Sequence, residues 1–368
     1  MKIHIQALFL LVWLAKALLV FTLFSLSITQ PARASIDCPA TTPAPADFQW
    51  GLVAYHVNFP SYELHAEDFD QMAQNGVQWI RIDFAWGRIE PKQGEEFDFS
   101  YFDKVVAEAK ARGIRIAGTL GNGYNTSTRP VAPLWTQKLK GPQYVSALKR
   151  YADAVVARYA DDVDMWGLEN EIHIAPLHVF LQWRHRAFLP YINVDILQTL
   201  SHAVDTYDHD AKIVLTLSPG FFGWQHFIRK SVNQFRFDAI GLYSYPSFNA
   251  GAEPIGFESQ VAKQIKKARK ASGGKPVFIF ETGYQTPPDK PNTPIDEGKK
   301  LLDYQAIYIE TMVRAAIEGG AQGIYFYQYL DSPDEKISRE RVFGLVFPDR
   351  TPKPAWLRYG EVIRACEN

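Results

Sequence analysis

The chain has 368 residues, of which 47% are hydrophobic and 21% are charged, and its formal net charge is -1. This much apolar sequence can build a sizeable core, which excludes a mainly disordered protein. The balanced charge, without a basic stripe interleaved with aromatic residues, argues against a nucleic-acid partner. The length suits one large α/β barrel or two ordinary domains.

Residues 1–34 have the pattern of an export signal. Lys2 precedes an apolar run at residues 7–28, and small residues precede a predicted cleavage site after Ala34. The predicted location is therefore secreted or periplasmic. The alternative is an uncleaved signal anchor, because the run is nearly long enough to cross a bilayer, although Lys16 weakens that version. In that case the folded part would remain attached to the membrane, on its outer side.

Residues 35–47 are rich in Pro, Ala and Thr and are predicted to form an extended leader. From residue 48 onward, short apolar runs alternate with segments whose apolar residues recur at helical spacing. The predicted strands are residues 48–53, 77–84, 114–120, part of 163–173, 212–217, 237–243, 276–281 and 322–327. The predicted helices are residues 67–73, 101–113, 142–159, 194–207, 224–235, 257–271, 298–318 and 353–364.

This alternation predicts a single (β/α)8 TIM barrel over residues 48–368. A doubly wound open sheet is disfavoured, since no Gly-rich turn follows the first strand and no phosphate loop occurs. The two cysteines, Cys38 and Cys366, flank the barrel. In an oxidising compartment they can form a disulfide, because barrel closure brings the termini together; two unpaired cysteines are the alternative.

The helix at residues 257–271 carries a run of basic residues. Lys263, Lys266 and Lys267 belong to this run, which lies opposite the apolar positions Val261 and Ile265. We interpret the basic side as a solvated helix face rather than a binding patch.

Two buried strands end in a carboxylate, the fourth at Glu171 and the seventh at Glu281. Chemistry in a TIM barrel takes place at the carboxyl ends of its strands, and strands four and seven face each other across the mouth. A retaining glycosidase needs such a pair about 5 to 5.5 Å apart, one acting as acid and one as nucleophile. The pair therefore predicts a glycosidase, with Glu171 as acid/base and Glu281 as nucleophile. Glu169 is a rival acid, because strand alternation places it on the same face as Glu171.

Other side chains at the strand ends are candidates for substrate binding. They are His56, Arg81, Asn122, Asn170, Tyr243, Tyr245, Tyr327 and Gln328, together with Trp183 in the long segment after strand four. Arg81 and a tyrosine hydroxyl would keep Glu281 ionised, and Asn170 would bind a sugar hydroxyl. His173 is interpreted as a packed or surface side chain. No cofactor or metal is expected, and the sequence contains no metal-binding histidine motif. It also lacks the Gly-x-Ser-x-Gly elbow of an acyl-enzyme hydrolase.

These residues resemble clan A of the retaining glycoside hydrolases. The resemblance implies an acid/base at Glu171, preceded by Asn170, a nucleophile at Glu281, a site arginine at Arg81 and a site tyrosine on strand six. WIRIDFAW at residues 79–86, with RIEP and FDF after it, is similar to β-xylosidase and β-galactosidase families. FGLVFPDRTPKP at residues 343–354 resembles the clan's passage into its last helix.

The resemblance spans residues 48–365 without indicating one family. FDAIGLYSYP at residues 237–246 and ETGY at residues 281–284 are more similar to the endo-β-1,4-galactanase family. Strand eight departs from the clan, since YFYQY at residues 325–329 stands where a tryptophan usually floors the sugar subsite.

The predicted partner is an oligo- or polysaccharide, and a monomer is expected. A transglycosylase or wall-remodelling enzyme with the same residues, and a non-catalytic carbohydrate-binding barrel, remain the alternatives.

Overall fold

The computed structural model describes residues 37–54, 63–121, 132–139, 141–174, 192–247, 252–286, 295–332 and 341–367. Here the chain forms a closed barrel of parallel strands arranged in sequence order from β1 to β8. The predicted (β/α)8 barrel is confirmed. The strands are β1 Gln49–Val53, β2 Trp79–Asp83, β3 Arg115–Leu120, β4 Met165–Leu168, β5 Lys212–Leu217, β6 Ala239–Tyr243, β7 Val277–Thr282 and β8 Gly323–Tyr327.

Amphipathic helices follow the strands and cover the barrel. They are α1 Ala66–Gln74, α2 Trp86–Ile89, α3 Ser100–Ala111, α4 Gly141–Tyr159, α5 Ile192–Tyr207, α6 Trp224–Ser231, α7 Glu258–Ala271, α8 Ile295–Gly319 and α9 Pro354–Glu367. Short 3-10 turns occur at Leu134–Lys138 and Ile172–Ile174. The predicted helices all lie within a few residues of these bounds, whereas the four-residue α2 was not predicted. A helix that short carries too little periodicity to be recognised.

Aromatic side chains fill the inside of the barrel. Phe278, Phe280 and Tyr325 belong to one buried cluster, in which the rings of Phe280 and Tyr325 lie 5.0 Å apart. Their bulk is accommodated by glycine on the adjacent strands: a Cβ added to Gly51 would lie 2.3 Å from Cδ1 of Tyr325, and one added to Gly241 would lie 2.9 Å from Cβ of Phe280. Glycine in β1 and β6 is therefore required by the packing of the neighbouring rings.

We expect Gly51→Ala to lower the free energy of unfolding by about 1–3 kcal/mol, because the new methyl group overlaps the Tyr325 ring in a close-packed core. Urea unfolding followed by circular dichroism measures the change. Gly298→Ala in α8 is the matched control, since its added Cβ meets nothing within 4 Å. The packing argument is wrong if Gly51→Ala is as stable as wild type.

The segment before β1 packs against the last two helices. Cys38 forms a disulfide with Cys366, Arg314 Nε donates a hydrogen bond to the Pro39 carbonyl at 2.7 Å, and the Thr41 hydroxyl donates to Glu318 at 3.2 Å. The predicted leader thus contacts the barrel over part of its length. None of the helices in the described ranges is long and apolar enough to cross a membrane. The export signal at residues 1–34 lies outside those ranges and remains a prediction.

Candidate active site

Glu281 is held through both of its carboxylate oxygens near the end of β7. Arg81 Nη2 lies 2.7 Å from Oε2, and the Tyr245 hydroxyl donates a hydrogen bond to Oε1 at 2.7 Å. The side chain is 13% exposed, so a molecule in the barrel mouth can reach it although its partners are largely buried. Two charge-stabilising contacts fix the carboxylate in one orientation.

Glu281 faces the barrel interior because the ladder of β7 is irregular at this point. The register with β6 shifts next to Tyr243, which pairs with Glu281, and the register with β8 shifts between Ile279 and Thr282. In a regular strand Phe280 and Glu281 would point to opposite faces. Here Phe280 belongs to the barrel core and Glu281 meets Arg81 from β2. A bulge that re-aims a side chain is a common feature beside active sites.

Arg81 is the central cation of the site and is almost completely buried. Its Nη1 donates to the Phe280 carbonyl at 3.2 Å, its Nη2 lies 3.7 Å from Asp83, and its guanidinium lies 4.8 Å from the centre of the Tyr243 ring. One buried arginine thus balances two carboxylates, Glu281 and Asp83. Asp83 was not predicted as a site residue, although strand alternation places residues 81 and 83 on the same face.

The pKa of Glu281 reflects opposing influences. Burial raises the pKa above the ordinary value for glutamate, while the positive charge of Arg81 and the Tyr245 hydrogen bond act to lower it. The nearby charge of Asp83 adds to the increase. Arg81 and Tyr245 therefore preserve the ionised form of a carboxylate whose buried surroundings favour the protonated form.

The end of β4 brings a second carboxylate toward the same ring, that of Tyr243. Burial raises the pKa of Tyr243 well above its ordinary value, and the charges of Glu281, Asp83 and Glu171 add to the increase. Glu171 and Glu281 both lie within electrostatic range of this one buried side chain. Both carboxylates thus act on one buried side chain, and their pairing as acid/base and nucleophile stays a prediction.

Strand β4 ends at Leu168, earlier than predicted. Glu169 and Glu171 both adopt left-handed backbone conformations, with φ of 55° and 53°. Thr216 Oγ1 donates hydrogen bonds to the carbonyls of Leu168 and Glu169 at 3.1 and 2.8 Å, which fixes the point where the strand ends. Because the backbone is no longer extended, the period-two rule that placed Glu169 and Glu171 on one face does not apply here, and that use of it was wrong.

Glu169 and Glu171 consequently have different neighbours. Glu169 is fully buried, and a Cβ added to Gly121 would lie 2.5 Å from its carboxylate. Its charge contributes, after burial, to the raised pKa of Tyr151 on α4. Glu171 is partly exposed and lies in range of Tyr243. Of these two carboxylates, Glu171 is thus the one that solvent reaches. Between the two, Asn170 has a side-chain oxygen without a hydrogen-bond partner among the described residues.

His173 connects the turn that follows Glu171 to the loop after β5. Its Nε2 lies 3.0 Å from the Ser218 carbonyl and acts as the donor, and its ring is 5.8 Å from that of Phe227. Burial lowers the pKa of His173 to about 4, so the ring is neutral at neutral pH. The interpretation of His173 as a packed side chain agrees with this position.

We expect His173 to make the protein less stable in acid. Its folded pKa of about 4 lies below the unfolded value of about 6.5, so the unfolded state binds more protons between these two values. The free energy of unfolding should therefore fall as pH drops from about 6.5 to 4, by up to about 3 kcal/mol. Urea titrations across this range should show a flatter dependence in His173→Gln. If the free energy of unfolding of His173→Gln depends on pH as steeply as that of the wild type, His173 does not have a folded pKa of about 4.

Two predicted site residues, Tyr327 and Gln328, lie at the end of β8 and have different surroundings. The Tyr327 ring lies 5.3 Å from that of Phe343, which in turn lies 5.9 Å from the Tyr245 ring beside Glu281. Gln328, joined to Tyr327 by a cis peptide bond, is fully buried, and its amide lies 3.4 Å from the Ser332 hydroxyl. We therefore expect Gln328 to support the loop rather than to contact substrate.

Three predicted site residues, His56, Asn122 and Trp183, lie outside the described residues. Within the described ranges, no group of three or more His, Cys, Asp or Glu side chains is arranged to hold a metal ion.

The sequence is similar to known glycosidases over limited segments. A family model described as β-galactosidase matches residues 55–138. A 6-phospho-β-glucosidase from Clostridium longisporum is 26% identical over 170 residues, which cover 44% of this chain and 34% of the relative. A β-glucosidase from an Agrobacterium species is 31% identical over 113 residues, covering 30% and 24% of the two chains. The matched regions thus span about a quarter to a third of these relatives.

The barrel is similar to those of solved glycosidases over most of its length. A family 1 β-glucosidase from Thermotoga maritima aligns with a TM-score of 0.65 and 16% identity, covering 88% of this chain and 98% of the other. An exo-β-1,4-mannosidase from an Opitutaceae bacterium aligns with a TM-score of 0.68 and 19% identity, covering 90% and 62%. At these identities the similarity establishes the fold.

Proposed function

We propose that this chain is a retaining β-glycosidase of clan A, with Glu281 as the nucleophile and Glu171 as the acid/base. The observation that carries the proposal is the Glu281 carboxylate, bound by Arg81 and Tyr245 at the mouth of a (β/α)8 barrel. Glu171 and Glu281 both act electrostatically on a second tyrosine, Tyr243. The sequence similarities to β-glucosidases and a β-galactosidase model support the same class of reaction.

In the first step, Glu281 attacks the anomeric carbon while Glu171 donates its proton to the glycosidic oxygen. The bond to the leaving group breaks, the aglycone departs as an alcohol, and a covalent glycosyl ester forms on Glu281. Arg81 and Tyr245 prepare Glu281 by favouring its ionised form before the sugar binds.

In the second step, Glu171 is a carboxylate and acts as a base. It removes a proton from water, the water oxygen bonds to the anomeric carbon, and the ester bond to Glu281 breaks. Two displacements at one carbon retain its configuration. The cycle ends with Glu171 protonated and Glu281 ionised, as it began.

The remaining side chains are assigned to substrate binding. Asn170, which adjoins Glu171, is placed to bind a sugar hydroxyl through its unpartnered oxygen. Tyr243 and Tyr327 belong to the buried cluster that also contains Phe280 and Phe343. The stretch at residues 325–329 stands where clan A usually has its floor tryptophan. His56, Asn122 and Trp183 remain predicted contacts. We expect these side chains to determine which sugar and which linkage are cleaved, and whether the enzyme acts within a chain or at its end.

We further propose that the protein is exported. The apolar segment at residues 7–28 and the small residues before position 35 are typical of a signal peptide. The disulfide between Cys38 and Cys366 supports this location, because such bonds persist in oxidising compartments. N-terminal sequencing of the mature protein should begin at Ser35; retention of residues 1–34 would support the anchored form.

Activity is tested with a panel of aryl β-glycosides and β-linked polysaccharides. We expect hydrolysis of at least one aryl glycoside, with proton NMR showing the β-anomer as the first sugar product. An α-anomer formed first would contradict the double displacement. Binding of glycans without any turnover would support the non-catalytic barrel instead. Addition of an alcohol acceptor at high concentration separates a hydrolase from a transglycosylase by the ratio of transfer to hydrolysis products.

We expect Tyr245→Phe to lower kcat/KM about tenfold at neutral pH, since it removes a hydrogen bond to a charged group. That bond lowers the pKa of Glu281, so its loss raises this pKa. Because the ionised form attacks, the acid limb of the kcat/KM profile should move to higher pH. Tyr304→Phe, which removes a surface hydrogen bond to Glu253, is the matched control. An acid limb that does not move would argue against Glu281 as the nucleophile.

A further inference from the structure

A cavity opens between the segments that follow β5 and β6. It has a volume of about 460 Å³ and is bounded by Pro219 and Trp224 on one side and by α7 on the other. Cavities of this volume lie within the range of small-ligand sites. Gln264 on its wall accepts a hydrogen bond from Ser244 at 3.0 Å, so the cavity adjoins the carboxyl end of β6 at the rim of the barrel.

Two lysines of the basic run on α7 line this cavity. Lys263 and Lys267 are exposed, and neither has an ion pair within the described part of the chain. They stand four residues apart on the helix, where like charges repel and destabilise the helix. Lys266 and Lys270 on the same helix are also exposed and do not line the cavity. The lysines of the run are exposed, as a solvated face requires, and Lys263 and Lys267 differ from the others in lining the cavity.

The loop that forms the opposite wall exposes an aromatic ring. Phe222 is fully exposed, at 106% of its reference area, two residues before the cavity residue Trp224. Single exposed apolar residues are common. Phe222 does not itself line the cavity, but it belongs to the loop whose residues Pro219 and Trp224 do. An aromatic face beside hydrogen-bonding and cationic groups matches the surface of a sugar ring that carries a negative charge.

We propose that this cavity, the Lys263–Lys267 cavity, binds an anionic sugar unit, one that carries a carboxylate or a sulfate ester. The two ammonium groups pair with the anion, Gln264 donates to ring hydroxyls, and Phe222 stacks against the apolar face of the same or the adjacent sugar. The site is separate from the catalytic carboxylates and would hold an acidic glycan at the rim of the barrel. The choice of an anion rests on the lysines, and the choice of a sugar rests on the proposed function.

Isothermal titration calorimetry of the full chain tests the proposal with tetragalacturonate, sulfated cellotetraose, neutral cellotetraose and inorganic sulfate. We expect at least one acidic oligosaccharide to bind at least about tenfold tighter than the neutral one, and binding to weaken as salt increases. The two acidic probes distinguish a carboxylate from a sulfate ester. The double variant Lys263→Gln with Lys267→Gln should bind the acidic oligosaccharides about tenfold or more weakly than wild type, because two charged contacts are lost.

The matched control is Lys266→Gln with Lys270→Gln, which removes the same charge from the same helix outside the cavity and should leave affinity within about twofold. Phe222→Ala should weaken the binding of the acidic oligosaccharide but leave the affinity for inorganic sulfate unchanged. An equal loss in the control pair, or equal affinity for neutral and acidic probes, would overturn the anion site. Inorganic sulfate that binds as tightly as the acidic sugars would overturn the sugar assignment. Initial rates on an aryl β-glycoside, measured on the same lysine variants, should not change, because Glu171 and Glu281 are untouched. Failure of this site and failure of the proposed function are therefore distinguishable.

Discussion

Glu281→Ala should reduce kcat on an activated aryl β-glycoside by about 10⁴-fold or more, the scale seen when a hydrolase loses a catalytic group of this kind. The alanine leaves Arg81 and Tyr245 without their shared carboxylate. The fold should persist, because Arg81 keeps a second carboxylate, Asp83, 3.7 Å from its Nη2. Thermal unfolding and initial rates on the same preparation separate loss of chemistry from loss of structure.

Rescue of Glu281→Ala by azide distinguishes the loss of a nucleophile from other causes of inactivity. The cavity left by Glu281→Ala lies next to Arg81, so a small anion can enter it and attack the anomeric carbon from the nucleophile's side. We expect azide to restore part of the rate and to yield a glycosyl azide of inverted configuration, since one displacement replaces two. Glu253→Ala, which removes an exposed carboxylate, should be fully active and insensitive to azide. A fully active Glu281→Ala would exclude Glu281 as the nucleophile.

The second large effect is expected for Arg81→Met. This substitution leaves Glu281 and Asp83 with a shared buried environment and without their cation. Breaking a buried ion pair by removing one partner costs about 3–5 kcal/mol. We expect a loss of this size in the free energy of unfolding, measured by urea denaturation, and a fall in kcat/KM of at least about a hundredfold.

The pH dependence of this loss has a definite sign. Without Arg81 the pKa of Glu281 rises further, so the folded state of the variant retains protons that the unfolded state has released. The destabilisation should therefore shrink as pH falls and grow as pH rises through the acid range. Arg115→Met is the control: Arg115 is 58% exposed in its pair with Asp164 and should contribute less than about 1 kcal/mol. Equal losses for the two variants would contradict the central role of Arg81.

Much of the barrel follows from the sequence because buried parallel strands are continuous apolar runs, and helices have a distinct apolar period. β5 is predicted with its observed bounds, since Lys212 starts its run and Leu217 ends it. Prediction is less successful where tertiary contacts end a strand. β4 ends at Leu168 because Thr216 on β5 binds the carbonyls there, and no local pattern in residues 163–173 shows this contact.

The same limitation applies to the candidate site. The sequence shows that Glu171 and Glu281 each follow an apolar run. The orientation of Glu281, however, depends on a register irregularity with β6 and β8. Phe343 was not predicted as a site residue, because its proximity to Tyr245 and Tyr327 arises from the return of the chain after β8. The sequence also left the pairing of Cys38 with Cys366 open, since closure of the barrel brings them together.

The most direct test of the account is to trap the covalent intermediate. The aryl glycoside that the protein cleaves best is prepared as its 2-fluoro derivative, which slows both displacements and allows the glycosyl ester to accumulate. Mass spectrometry of the intact protein and then of its peptides locates the added sugar. The account predicts one sugar per chain, attached to Glu281. Attachment to Glu171 or Asp83, or rapid turnover of the normal substrate without any adduct, would contradict it.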